Sequence, residues 1–207
     1  MGYDMSIKGE LPEPDAEGLA TLKEASDSAA AEATRVRTEL IRKGVTGFMK
    51  VPEYEAAEAA YEAAFNAWRA VKSPDYFRLN NNGMFRYLDA MLNLGMAHES
   101  RSPVTGDDWG TLPDYDDGVS AYYEALDKLT GQHPGDNPTI PTFKFGSNDG
   151  WWVTPDECHA AVARWDEINI ADVNLAEETA SIIATDYWGK WIDYLRLAAE
   201  HDGFRVH

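Results

Sequence analysis

The residues best placed to do chemistry lie in two stretches. The first runs from Arg78 to Arg86 and sets two arginines around Asn80, Asn81 and Asn82 at the start of a helix. Guanidinium and amide groups beside the unpaired N–H groups of a helix N-terminus favour anionic or carbonyl groups. The second, Asn148-Asp-Gly-Trp-Trp152, puts an amide and a carboxylate beside two indoles, of which only one can face a core. An outward indole among polar groups suits contact with a ligand or a partner. The expected site is therefore Arg78, Asn80, Asn82, Arg86, Asn148, Asp149, Trp151 and Trp152, provided the fold makes the two stretches neighbours. The plainer reading makes the first a capped core helix and the second a turn.

Other chemistry finds little support. No Gly-x-Ser-x-Gly turn is present, so the nucleophile elbow of many hydrolases is missing. Cys158 is followed at once by His159, and adjacent helix positions do not face each other, so the thiol reads as a buried structural group. The five histidines lie in separate segments without metal-ligand spacing, and Gly146 to Gly150 lacks the lysine of a phosphate loop. Asp107, Asp108, Asp114, Asp116 and Asp117 crowd oxygen ligands together, but they do not follow the spacing of a calcium loop. No metal and no cofactor is expected, and catalysis is disfavoured.

These groups must be held by helices for the most part. Tyr3, Met5 and Ile7 alternate with polar residues as a short strand. Residues 15–71 read as a helical hairpin arm: an alanine-rich helix to Lys43, then a second opened by Pro52. Alanine rather than leucine fills the apolar row of the first helix, which favours a packed bundle over a coiled coil. Ser73 to Met96 carries Tyr76, Phe77 and Leu79 into a core and then a helix closed by Gly95. After a polar connection comes a helix with Tyr122, Tyr123, Leu126 and Leu129, then a proline-rich loop from His133 to Pro141. Residues 142–154 read as a β-hairpin. Thr154-Pro-Asp-Glu157 is a capping box opening the next helix. A last helix runs from near Asp172 to Glu200, bent at Gly189, before a terminal strand at Phe204 to Val206. The expected fold is mainly α (α+β), one domain over 1–207. About six helices accompany a small antiparallel sheet made from the hairpin and the chain termini.

Charge is the outlying property: 18 basic residues stand against 36 acidic ones, a net −18. Such a field repels nucleic acid and anionic membranes and attracts basic partners, as a DNA mimic does; simple solubility is the plainer cause. One cysteine excludes an internal disulfide, and no apolar run has the length of a membrane span. Cytoplasmic residence follows as the expectation.

Met1 to Met5, Tyr76 to Met84, Phe145 to Pro155 and Trp191 to Val206 together resemble a group of small uncharacterised proteins in actinobacteria and their phages. That resemblance implies such an origin and carries no activity with it. The functional expectation is a non-enzymatic binding protein, a phage or host regulator whose acidic surface meets a basic protein. The alternative is a small-molecule enzyme whose cleft gathers residues from several segments.

Overall fold

Alternation at Tyr3, Met5 and Ile7 builds β1 (Gly2–Ile7), in which every second residue is buried. The structure, a computed structural model, describes residues 2–115, 118–131, 137–168 and 175–207. Strand β1 lies inside a four-stranded antiparallel sheet. It pairs on one side with β2 (Tyr76–Asn80) and on the other with β6 (Phe204–Val206), which in turn pairs with β5 (Trp151–Val153). Both ends of the sequence thus enter one sheet. The fold is mainly α (α+β), as expected, with eight α-helices among the described residues.

The chain divides into two compact units, Met1–Leu11 with Asp75–His207, and Pro12–Pro74. The second unit is the helical hairpin, α1 (Ala16–Arg42) and α2 (Pro52–Lys72), linked through a 3-10 turn at Phe48–Lys50. Asp15 caps α1 by accepting from the N–H groups of Glu17 and Gly18. Along the inner side of α1, Leu19, Leu22, Ser26, Ala29, Ala33, Val36 and Leu40 recur at alternating steps of three and four, the spacing of a coiled-coil seam. Lys23, early in α1, lies over the Trp68 ring, late in α2, as an antiparallel pairing requires. Only Ser26, Ala33 and Leu40 are buried in this unit, and α2 contributes none. Within the unit the row closes as a helix pair, not as a wider bundle.

In the first unit, α3 (Asn81–Asn93) follows β2 directly. Asn80 ends the strand and caps the helix, its side chain accepting from the Gly83 N–H at 2.7 Å. Helix α8 (Asp186–Glu200) supplies the largest block of core. Trp188, Trp191, Ile192 and Leu195 follow helical spacing and are buried. They pack with Met5, Met84, Met91, Phe145 and Phe204. Phe77 of β2 meets the rings of Tyr187, Trp191 and Tyr194. Helix α6 (Pro155–Glu167) packs on α8 and begins with the expected Thr154–Glu157 capping box.

Three expectations require correction. No hairpin forms over 142–154: Thr142–Phe145 is a 3-10 turn closed by Gly146 N–H to the Phe143 carbonyl, and β5 pairs with β6 instead. Lys144 is drawn inward to an ion pair with Glu157, which a strand alternating into solvent would not permit. The last helix is two: α7 (Glu177–Ile183) ends before Thr185, whose side chain caps α8, so the break falls at Thr185 and not at Gly189. Its expected start near Asp172 lies outside the described residues. The polar connection contains a short helix α4 (Gly106–Trp109), where Asp108 completes a capping box with Thr105. Asp116 and Asp117 of the acidic run, and His133 to Asp136 of the proline-rich loop, lie outside the described residues. The described chain is completed by α5 (Val119–Gly131) and by a two-residue parallel bridge between β3 (Ala97–His98) and β4 (Ile140–Pro141).

Candidate functional site

The sheet turns one face to the α3/α8 core and the other towards α5. On β6, Phe204 and Val206 enter the core while Arg205 points the opposite way. Helix α5 meets it with Asp127, which receives both terminal nitrogens of Arg205 at 3.1 and 2.6 Å and the Lys8 ammonium at 3.3 Å. Arg205 also donates to the Gly150 carbonyl and lies over the Tyr123 ring, 4.1 Å from its centre. Gly150 has φ +84, and a Cβ there would run into that ring. Trp152, opposite Arg205 in the register, carries Lys8 over its ring at 3.9 Å and donates its indole N–H to the Asp202 carbonyl.

Beside this cluster the first unit holds a cavity of about 420 Å³, within the range of roughly 300–1,000 Å³ usual for small-molecule sites. Its ionisable lining is His98, Arg101, Asp127, Lys144, Asp156 and Glu157, and Phe143 and Trp152 supply aromatic wall. Lys144 is 3 % exposed. Its ammonium donates to both Glu157 carboxylate oxygens at 2.7 Å and to the Trp152 carbonyl at 2.6 Å. Burial pulls its pKa below the ordinary lysine value, and the Glu157 charge opposes that shift. Glu157 is engaged further by the Thr154 N–H. Lysine and glutamate are therefore spent on each other, and Asp127 on two cations. None of the three stands ready as a nucleophile or general base.

His98 is different. Thr139 gives its hydroxyl proton to Asn137, so its oxygen accepts from His98, 3.2 Å away, which fixes the proton on Nδ1. In the neutral ring Nε2 is then an acceptor, with no hydrogen-bond partner among the described residues.

The structure gathers part of the site expected from sequence. Asn148 donates to the Gly2 carbonyl at 2.9 Å, and Gly2 sits opposite Asn80 in the β1–β2 register. A Cβ on Gly2 would lie 3.4 Å from the Arg78 Nε. Arg78, Asn80 and Asn148 thus meet at one end of the sheet, with Asp149 next to Asn148 in the chain. Their polar groups are engaged there: Arg78 with Asp4 at 3.5 Å, Asn80 as a helix cap, Asp149 with Ser147 and, through its carbonyl, Tyr122. Asn82 is exposed on the first turn of α3. Arg86 is directed to Glu178 at the start of α7. Trp151 is 2 % exposed, packed with Val104, Trp109, Leu126 and Phe143, and offers no surface. Trp152 belongs to the Lys8–Arg205 cluster.

Sequence reasoning passed over Lys144, Arg205, Asp127, His98 and Arg101. A signal did exist for the first two. Each is a lone cation inside an apolar run, Phe143-Lys-Phe145 and Phe204-Arg-Val206, where burial forces a partner. Cys158 is buried as expected, with its thiol pKa raised by that burial. Among the described residues no group of three or more His, Cys, Asp or Glu side chains is placed to hold a metal ion. Comparison of the chain with protein-family models, with curated proteins and with solved structures found no match in any of the three.

Proposed function

We propose that this chain is a binding protein, resident in the cytosol, whose first unit presents a carboxylate surface to a basic protein partner. The partition of charge carries the reading. Residues 12–74 hold 11 acidic and 8 basic side chains, which leaves 25 acidic and 10 basic ones to the first unit. Seven of those ten cations (Lys8, Arg78, Arg86, Lys144, Arg164, Arg196 and Arg205) are held in ion pairs. Most of the positive charge is paired within the unit, and the net outward field is that of the excess carboxylates. A field of one sign steers an oppositely charged surface into contact and rejects nucleic acid. The resemblance to actinobacterial and phage proteins supplies the setting we attach to this reading, that of a phage or host regulator.

The test compares the chain with a variant neutralised at exposed positions of the first unit, Glu10→Gln, Glu124→Gln, Glu177→Gln and Glu200→Gln. The reading expects a basic protein retained from lysate by the parent in saturable, salt-releasable fashion and retained poorly by the variant. Equal retention by both would contradict it. A second reading, the handling of a small molecule, is favoured by one observation, the cavity beside Trp152. Enzymatic use of that cavity would need a base or nucleophile other than Lys144, Glu157 and Asp127.

A further inference from the structure

The cavity beside Trp152 is lined by two charges with no ion-pair partner among the described residues. Lys144 and Glu157 cancel each other, and Asp127 is neutralised by Arg205 and Lys8. Arg101 and Asp156 remain, both exposed, both lining the cavity, and neither in an ion pair among the described residues. Arg101 follows β3, and Asp156 stands in the first turn of α6, so the two charges come from different elements. His98 adds an acceptor, since Thr139 holds its proton on Nδ1. Phe143, the Trp152 ring, Pro103, Pro138 and Pro141 give the remaining wall its apolar part, beside the polar side chains of Ser100, Thr130, Asn137 and Thr154.

We propose that this cavity binds a free α-amino acid with a large apolar side chain. One guanidinium matches one carboxylate, with the two-pronged geometry that arginine offers. A carboxylate and an imidazole lone pair match the three donors of an ammonium group. The aromatic and proline wall takes the side chain, whose burial supplies the affinity. A ligand of either single charge leaves Arg101 or Asp156 facing it unpaired, so the zwitterion is the selected form. The four glutamates substituted to test the acidic-surface reading do not line this cavity, so either proposal can fail alone.

Isothermal titration of the full chain with L-phenylalanine, L-tryptophan and L-leucine tests the proposal. Phenethylamine and 3-phenylpropionate serve as matched probes, each lacking one charge. At least one amino acid is expected to saturate a single site, with the matched probes weaker by about tenfold or more. Arg101→Gln should lower phenylalanine to the level of phenethylamine, and Asp156→Asn to that of 3-phenylpropionate. Both side chains are exposed and outside any ion pair among the described residues, so Arg101→Gln should keep the parent's melting temperature and Asp156→Asn, in the first turn of α6, should lower it only slightly. Failure of all three amino acids to saturate would overturn the proposal. So would binding undiminished in both variants, or a singly charged probe that binds as tightly as phenylalanine.

Discussion

Lys144 gives three hydrogen bonds, two to Glu157 and one to Trp152, from a position almost without solvent. Removing one member of such a pair strands the other, at a cost of about 3–5 kcal/mol where burial is complete. Glu157 keeps some exposure, so Lys144→Met should cost about 3 kcal/mol in urea unfolding. Lys144→Met with Glu157→Gln should recover a large part of that loss; a double variant no more stable than the single one would show that packing, not charge, is at stake. Tyrosine burial sets the alkaline limit. The Tyr87 hydroxyl is pushed up to about 12, chiefly by burial, from about 10 in an unfolded chain. A raised folded value means stability fully present below pH about 10 and lost as pH climbs through about 12. Tyr87→Phe should flatten unfolding stability measured across that window. His207 acts at the other end: burial, then Arg205, lowers its pKa, against the opposing charge of Asp4. Its contribution is present above pH about 6.5 and lost below it, and His207→Gln should remove that part of the acid slope.

At the scale of elements, caps and tight approaches do the fixing. Thr154 and Glu157 cap α6 reciprocally, and Thr154→Ala should cost about 1 kcal/mol by chemical denaturation. Gly203, at φ +73, lets β6 start directly behind α8, and a Cβ there would meet the Val153 carbonyl oxygen. Gly203→Ala should cost at least about 3 kcal/mol, since the obstacle is backbone and the conformation is left-handed. The hairpin is the weaker part of the molecule, because α2 contributes no buried residue while α8 contributes seven. Amide exchange should therefore run faster along Pro52–Lys72 than along Asp186–Glu200. What sequence made legible here was local: helical apolar rows, the Thr154 box, an asparagine cap among Asn80 to Asn82, the alternation of β1. The false hairpin at 142–154 shows the limit. Thr142 to Phe145 and Trp151 to Val153 both look like strands by residue type, and only the terminal strand β6, some fifty residues on, decides which one is paired. The eight-residue site was half assembled for the same reason. Its polar residues were read correctly as polar, but their partners Asp4, Gly2 and Glu178 are remote in sequence.

Across the whole molecule, charge is unevenly shared: the hairpin is nearly balanced and the first unit strongly acidic. No helix among the described residues is long and apolar enough to cross a membrane. The proposed role of that acidic field is recognition of a basic surface by the carboxylates of the first unit. The most direct measurement is a heteronuclear NMR titration of the full chain with a lysine- and arginine-rich peptide, repeated from low to high salt. Saturable shifts confined to exposed residues of Met1–Leu11 and Asp75–His207, weakening steeply as salt rises, are the expected result. Shifts centred on Pro12–Pro74, or an affinity indifferent to salt, would contradict it.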